Sequence, residues 1–319
     1  MVKRLAPYAV LLVALAVVPF VAGNQEYALE VLFLIFLYGA MATAWNLLGG
    51  FAGQVSFGHA AFLGIGAYAT TVLLAGGTPL WLAVVVSALL AGAYSLLIGI
   101  PTFRLRGPYF SIATIGIGEA TRLIALNWTS LTGGASGLTL SSAPPLRAQY
   151  FAALLLLVVA VGIAAWIKTS RFGFALAAVR QDTDAAETLG VATTLAKTQA
   201  LFVSACILGV AGSVYAEHYL FISPDSVFGF STSIAFVIMP IIGGLGTVTG
   251  PLIGAVVYTF IREQLAATLA NVDLLAFGVL LIAIVVFEPR GILGIVDRIR
   301  RGVTARTGAP AGVGPKLDG

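Results

Sequence analysis

Long apolar runs separated by short polar connections set the pattern of this chain. Leu11–Phe20, Val31–Leu37 and Phe151–Ile163 are continuous stretches of apolar side chains with only a proline or a glycine between them. Strands of a membrane barrel would alternate apolar and polar residues at every second position, and these do not, so the runs predict helices. Segmenting by hydropathy gives about ten spans. They fall near 6–22, 29–48, 54–75, 80–100, 109–126, 150–167, 198–216, 230–243, 249–270 and 273–288. The eighth is short for a crossing and the fifth is weakly apolar, a pattern that goes with discontinuous helices.

Composition points the same way. Hydrophobic residues make up 59% of the chain, charged residues 9%, and the mean hydropathy of +1.02 excludes an ordinary soluble domain. The expected fold class is therefore all-α: a polytopic transmembrane helix bundle. Of the 17 Lys and Arg residues, most sit on alternate connections. One side holds Lys3, Arg4, Arg104, Arg106, Lys168, Arg171, Arg180, Lys197 and the basic residues of 289–319. The other side holds Arg147, while Arg122 and Arg262 fall within spans. Basic loops stay inside, so both termini are expected in the cytoplasm and the number of crossings is even. That distribution also accounts for the pI near 9.3 without nucleic acid as a partner.

Residues 1–301 are read as one transmembrane unit with a cytoplasmic loop at 168–197, and 302–319 as a disordered tail rich in Gly, Ala and Pro. Lys3-Arg4 followed by an apolar stretch has the outline of a signal peptide. Without a small-x-small cleavage site it is read as a retained first span. Cys206 is the single cysteine, which excludes an intrachain disulfide and a cysteine-rich metal site. No G-x4-G-K-[ST] occurs, so no nucleotide site or other cofactor is expected on this chain.

Within the basic loop, Asp184-Ala185-Ala186-Glu187-Thr188-Leu189-Gly190 is well punctuated. Asp184 is positioned to cap a short helix, Glu187 to reach back in a capping box, and Gly190 to end it in the left-handed region. Under two turns of helix are unstable alone in water, so this one must dock. It either packs on its own membrane domain or offers its alanines to a groove in a partner.

Asp184-Ala185-Ala186 with Gly190 resembles the EAA motif of ABC importer permeases. The likeness extends through Asn46–Tyr68, Arg104–Glu119, Leu131–Leu138, Ser170–Tyr215, Ile242–Ala255 and Phe287–Gly294, in family order. Across these blocks the chain is similar to the LivM-type permeases of branched-chain amino-acid ABC transporters, departing at Phe174, where many relatives carry a basic residue. The resemblance implies a permease subunit for leucine, isoleucine and valine in the cytoplasmic (inner) membrane of a bacterial-type cell. It further implies two separate ATPase subunits that hold ATP and Mg, a second related permease, and an extracytoplasmic substrate-binding protein. Asp184, Ala185, Ala186, Glu187 and Gly190 would form the helix that couples to the ATPases.

Asn46–Tyr68 combines Gly49, Gly50, Gly53, Gly58, Gly64 and Gly66 with polar Asn46, Gln54, Ser56 and His59. Two readings stand: a discontinuous helix lining the translocation path, or a glycine packing seam with His59 satisfied by a neighbour. For the segment as a whole the path is preferred. Gly243, Gly244 and Gly246 leading into Gly250 echo Gly49 and Gly50 leading into Gly53, as a faint internal repeat would. Glu119 and Arg122 are spaced to pair on one helix face, and Arg262-Glu263 need separate partners. Rival functions are the same machinery carrying urea or short amides, and an ion-coupled secondary transporter using Glu119 or Glu263. An intramembrane enzyme lacks any nucleophile–base or metal constellation.

Overall fold

The computed structural model describes residues 14–20, 26–105, 107–268 and 291–294. The expected spans at 6–22 and 273–288, in most or all of their length, and the expected tail at 302–319 lie outside the described residues. The helices are α1 (14–20), α2 (Glu26–Asn46), α3 (Ala60–Ala75), α4 (Leu80–Thr102), α5 (Pro108–Asn127), the one-turn α6 (Thr129–Thr132) and α7 (Leu146–Thr169). They continue as α8 (Arg171–Gln181), α9 (Thr183–Thr188), α10 (Thr193–Tyr219), α11 (Pro224–Phe228), α12 (Phe230–Gly243), α13 (Gly250–Thr268) and α14 (291–294). A π-helical turn, Leu47–Phe51, follows α2. The strands among the described residues, β1 (Leu138–Thr139) and β2 (Phe221–Ile222), pair antiparallel with Leu138 opposite Ile222.

Helix α4 shows which solvent the bundle is built for. Its buried residues are Ala83, Ser87, Ala91, Gly92, Ser95, Gly99 and Thr102, all small. Its exposed residues include Trp81, Val85, Leu89, Leu96, Leu97 and Ile100. A helix in water would bury the large apolar side chains; this one turns them outward, where lipid meets them, and packs through its small face. Among the described residues, five segments are long and apolar enough to cross a membrane: Glu26–Phe51, Leu80–Thr102, Leu146–Thr169, Thr193–Tyr219 and Pro224–Gly243. The chain is a multi-pass membrane protein.

The expected segments at 29–48, 80–100, 150–167, 198–216 and 230–243 fall within those five. The one expected at 54–75 begins only at Ala60, because residues 52–59 leave helical geometry. Those expected at 109–126 and 249–270 are the helices α5 and α13.

Helix α10 runs through the middle, with α3 and α4 on one side, while α2 packs against α7, α12 and α13. Where α3 crosses α10 the backbones nearly touch: a Cβ at Gly66 would lie 2.2 Å from Gly209 O, and one at Gly212 2.2 Å from Leu63 O. A hydroxyl cluster locks the same crossing, Thr70 Oγ1 lying 2.6 Å from Ser213 Oγ and 2.7 Å from Ser87 Oγ on α4. Polar side-chain contacts tie the end remote from α8 and α9. His218 contacts Glu30 at 2.9 Å and Gln149 at 2.7 Å. Arg122 bridges Glu119 on its own helix and Asp225 of α11, so the expected pair is in fact a triad.

Candidate functional site

Seven of the candidate path residues, Asn46, Gly50, Gly53, Gln54, Ser56, Gly58 and His59, lie where α2 breaks, and the break is held largely by side chains from other helices. Irregular backbone inside an apolar bundle needs a partner for each polar group. Here Trp45 Nε1 donates to Ser56 O at 2.7 Å, Ser111 Oγ of α5 to Val55 O at 2.7 Å, and Phe57 N to Thr114 Oγ1 at 3.1 Å. Ser233 Oγ of α12 accepts from Ala60 N at 3.1 Å, capping the start of α3. His59 is fully buried; Nδ1 lies 2.9 Å from Ser56 Oγ, and Nε2 has no hydrogen-bond partner among the described residues.

The second glycine segment, which echoes the first in sequence, touches it in space. Asn46 Oδ1 accepts from Gly246 N at 2.9 Å and its Nδ2 donates to Thr247 O at 2.8 Å. Leu293 of α14 packs on Gly244, where a Cβ would lie 3.1 Å from its Cδ1. A third partner is Arg180 of α8, whose Nη1 donates to Gly50 O at 2.7 Å. Gly246 has φ +75°, and a Cβ there would sit 2.1 Å from that same Nη1, so only glycine leaves room for the guanidinium. Three segments remote in sequence thus meet in one joint: 46–53, 244–247 and the end of α8.

Helix α9 follows α8 directly. The N-cap is Asp182, not Asp184 as expected: its carboxylate accepts from Asp184 N at 2.8 Å and Ala185 N at 3.0 Å. Asp182 has extended backbone angles that let its side chain fold over the first turn, whereas Asp184 is already inside the helix. Glu187 does not close a capping box; its carboxylate accepts from the Thr193 hydroxyl at the start of α10. Gly190, at φ +83°, ends the turn as expected. The two alanines divide: Ala186 is 2% exposed, packed on its own bundle, and Ala185 faces outward. One turn beyond Ala185, Leu189 is 82% exposed, and Phe174 of α8 is 69% exposed.

A cavity of about 310 Å³ opens between α2, α10, α12 and α13, and none of the candidate path residues lines it. Ser56 and Gly58 border a second one of only about 10 Å³. Sequence reasoning missed Asp182 as the cap, Arg180 as a member of the joint, and the cavity wall. The Asp182-Thr183-Asp184 doublet was a visible signal for the first; Arg180 had registered only as a basic loop residue.

A multi-pass helical membrane protein with broken helices knotted beneath a short protruding helix is the class that fold and site define. Residues 27–285 match the family profile described as branched-chain amino acid transport system / permease component, and the chain belongs to that family. It is 28% identical over 319 residues to the high-affinity branched-chain amino acid transport system permease protein LivM of Escherichia coli (strain K12), covering 90% of this chain and 74% of that one. It is 25% identical over 287 residues to the LivH protein of the corresponding system in Salmonella typhimurium, covering 81% and 91%. A shorter match, 29% over 140 residues, links it to the permease protein BraD of Pseudomonas aeruginosa. No solved structure matches.

Proposed function

We propose that this chain is a membrane-spanning subunit of an ATP-driven importer for leucine, isoleucine and valine. It would sit in a bacterial-type cytoplasmic membrane with about ten crossings and both termini inside. Two ATPase subunits would hold ATP and Mg, a second related permease would complete the pathway, and an extracytoplasmic binding protein would deliver solute. The observation that carries this reading is the arrangement of α9, exposed through Ala185 and Leu189, on a helix whose last turn is bonded to the joint through Arg180 and Gly50.

A push on α9 passes to α8 across the Asp182 cap, and α8 moves Arg180 against Gly50 and Gly246. Asn46 ties the end of α2 to the segment between α12 and α13, so these helices shift together and the bundle changes which end it opens. On this reading Asn46, Gly50, Gly53, Gln54, Ser56, Gly58, His59, Gly243, Gly244 and Gly246 form the movable inner end of the path. Glu119 is engaged by Arg122 at 2.5 Å, and neither it nor Glu263 lines either cavity described above, which weighs against an ion-coupled transporter built on them.

Co-purification tests the assembly, and substrate choice tests the cargo. The ATPase subunits should be retained by the wild-type chain, and the reconstituted complex should take up radiolabelled leucine in preference to urea. Uptake of urea without leucine would overturn the assignment.

A further inference from the structure

Helix α7 turns a continuous apolar face outward. Leu155, Val159, Gly162 and Trp166 are all exposed and recur every three or four residues, so one stripe of the helix meets lipid. The stripe ends in a tryptophan, a side chain that settles where hydrocarbon gives way to headgroups. Two residues on stands Lys168, in the last turn of α7, and Arg171 then opens α8. Both are exposed, and neither side chain has a hydrogen-bond or ion-pair partner among the described residues. No acidic residue occurs anywhere from Leu146 to Gln181.

The corner between the two helices is tightly built. Ser170 Oγ accepts from Gly173 N at 3.2 Å and donates to Ile167 O at 2.8 Å. A Cβ at Gly173 would lie 2.1 Å from Ile167 O, so the first turn of α8 packs directly on the end of α7. Phe172 packs against the core of the bundle, while Phe174, one turn after Arg171, is exposed.

Two basic side chains without an internal counter-charge, between exposed aromatic rings at the end of a span, suit a phospholipid of net negative charge. Its phosphate accepts charge-assisted hydrogen bonds from the ammonium and the guanidinium, and its acyl chains lie along the rings. A soluble ATPase subunit is the rival occupant. Trp166 decides against it, since its stripe is the lipid-facing side of α7 and the packed corner keeps the start of α8 at that same end. We propose that Trp166, Lys168, Arg171 and Phe174 bind an anionic phospholipid, which holds the first turn of α8 on the membrane surface. Helix α8 is then fixed by lipid at one end and by Arg180 on Gly50 O at the other, about 14 Å away. Such a site needs only a chain that spans a membrane, and neither ATP nor a transported solute enters it.

The test measures binding of a fluorescent phosphatidylglycerol to the purified full chain in detergent micelles. The wild type should bind it in preference to the matching phosphatidylcholine. Lys168→Gln and Arg171→Gln should each weaken binding about fivefold, and the pair about twenty-five-fold, the effect of one and two basic groups at an anionic surface. Arg147→Gln removes the same charge at the opposite end of α7 and should leave binding unchanged. Equal binding of the two lipids overturns the proposal. So does an Arg147→Gln as damaging as the pair, or displacement of the lipid by inorganic phosphate at matched ionic strength.

A second measurement reads the exposed face of α8 directly. Phe174→Cys in a Cys206→Ser background is placed in nanodiscs as the chain alone and treated with a neutral, water-soluble maleimide. Modification should be several-fold slower in bilayers that contain phosphatidylglycerol than in phosphatidylcholine alone. Equal rates in the two bilayers, with slowing only once ATPase subunits are added, would assign the face to a protein partner and overturn the proposal.

Discussion

Arg180 and Gly246 meet so closely that replacing both should cost no more than replacing the glycine alone. Arg180 Nη1 is 2.7 Å from Gly50 O, and a Cβ at Gly246 would intrude to 2.1 Å from that nitrogen. Arg180→Ala removes a hydrogen bond from a charged donor, worth about 1.5–3 kcal/mol when sheltered. Arg180 is largely exposed, which reduces this to about 1 kcal/mol. Gly246→Ala places a non-glycine residue at φ +75°, costing about 1–2 kcal/mol. It also displaces the guanidinium, losing the same hydrogen bond, for about 2–3 kcal/mol in all. In the double variant no guanidinium remains to displace, so the two effects overlap by about 1 kcal/mol.

Leucine uptake and binding-protein-stimulated ATP hydrolysis by the reconstituted complex read this out, with each kcal/mol of lost coupling appearing as about fivefold in rate. Uptake should fall about fivefold in Arg180→Ala and further in Gly246→Ala, and the double variant should match Gly246→Ala, with ATP hydrolysis retained in all three. A double variant about fivefold worse than Gly246→Ala would mean the effects add, and the joint would not be one unit.

Leu189→Asp should abolish co-purification with the ATPase subunits while costing under about 0.5 kcal/mol of stability, because Leu189 is 82% exposed. Ala186→Glu, by contrast, buries a charge at a site 2% exposed and should lower expression of the folded chain, seen by size-exclusion chromatography in detergent. Asn46→Ala leaves Gly246 N and Thr247 O without their partner and should destabilise by about 1–3 kcal/mol, read as a lowered midpoint in thermal unfolding in detergent. Thr70→Val removes the hydroxyl shared by Ser87 and Ser213 and should cost about 0.6 kcal/mol and at most ~1.7 in the same assay, the range for interhelical hydrogen bonds in membranes.

Helical class and the placement of the long spans were legible because continuous apolar runs of fixed length leave few alternatives in lipid. The start of α3 was not. Residues 52–59 have the composition of a span, yet they leave helical geometry, since Gly53 takes φ +71° and the backbone partners Ser111 and Thr114 come from α5. Hydropathy carries no record of such distant partners. The glycine echo was visible as a repeat, but contact between its halves depends on Asn46, 200 residues before Gly246. Arg180 looked like one more charge of a basic loop because its acceptor, Gly50 O, is a backbone carbonyl 130 residues away. Likewise the helix end at Gly190 was readable from one residue type, whereas the cap expected at Asp184 falls two positions earlier, on Asp182, because extended backbone angles there let its side chain fold over the first turn.

The most direct measurement is leucine accumulation against a gradient in proteoliposomes, comparing the purified chain alone with the full set of subunits. The account predicts uphill accumulation only by the complete assembly and only with ATP on the side of α9. Accumulation by this chain alone, or by the assembly without ATP, would contradict it.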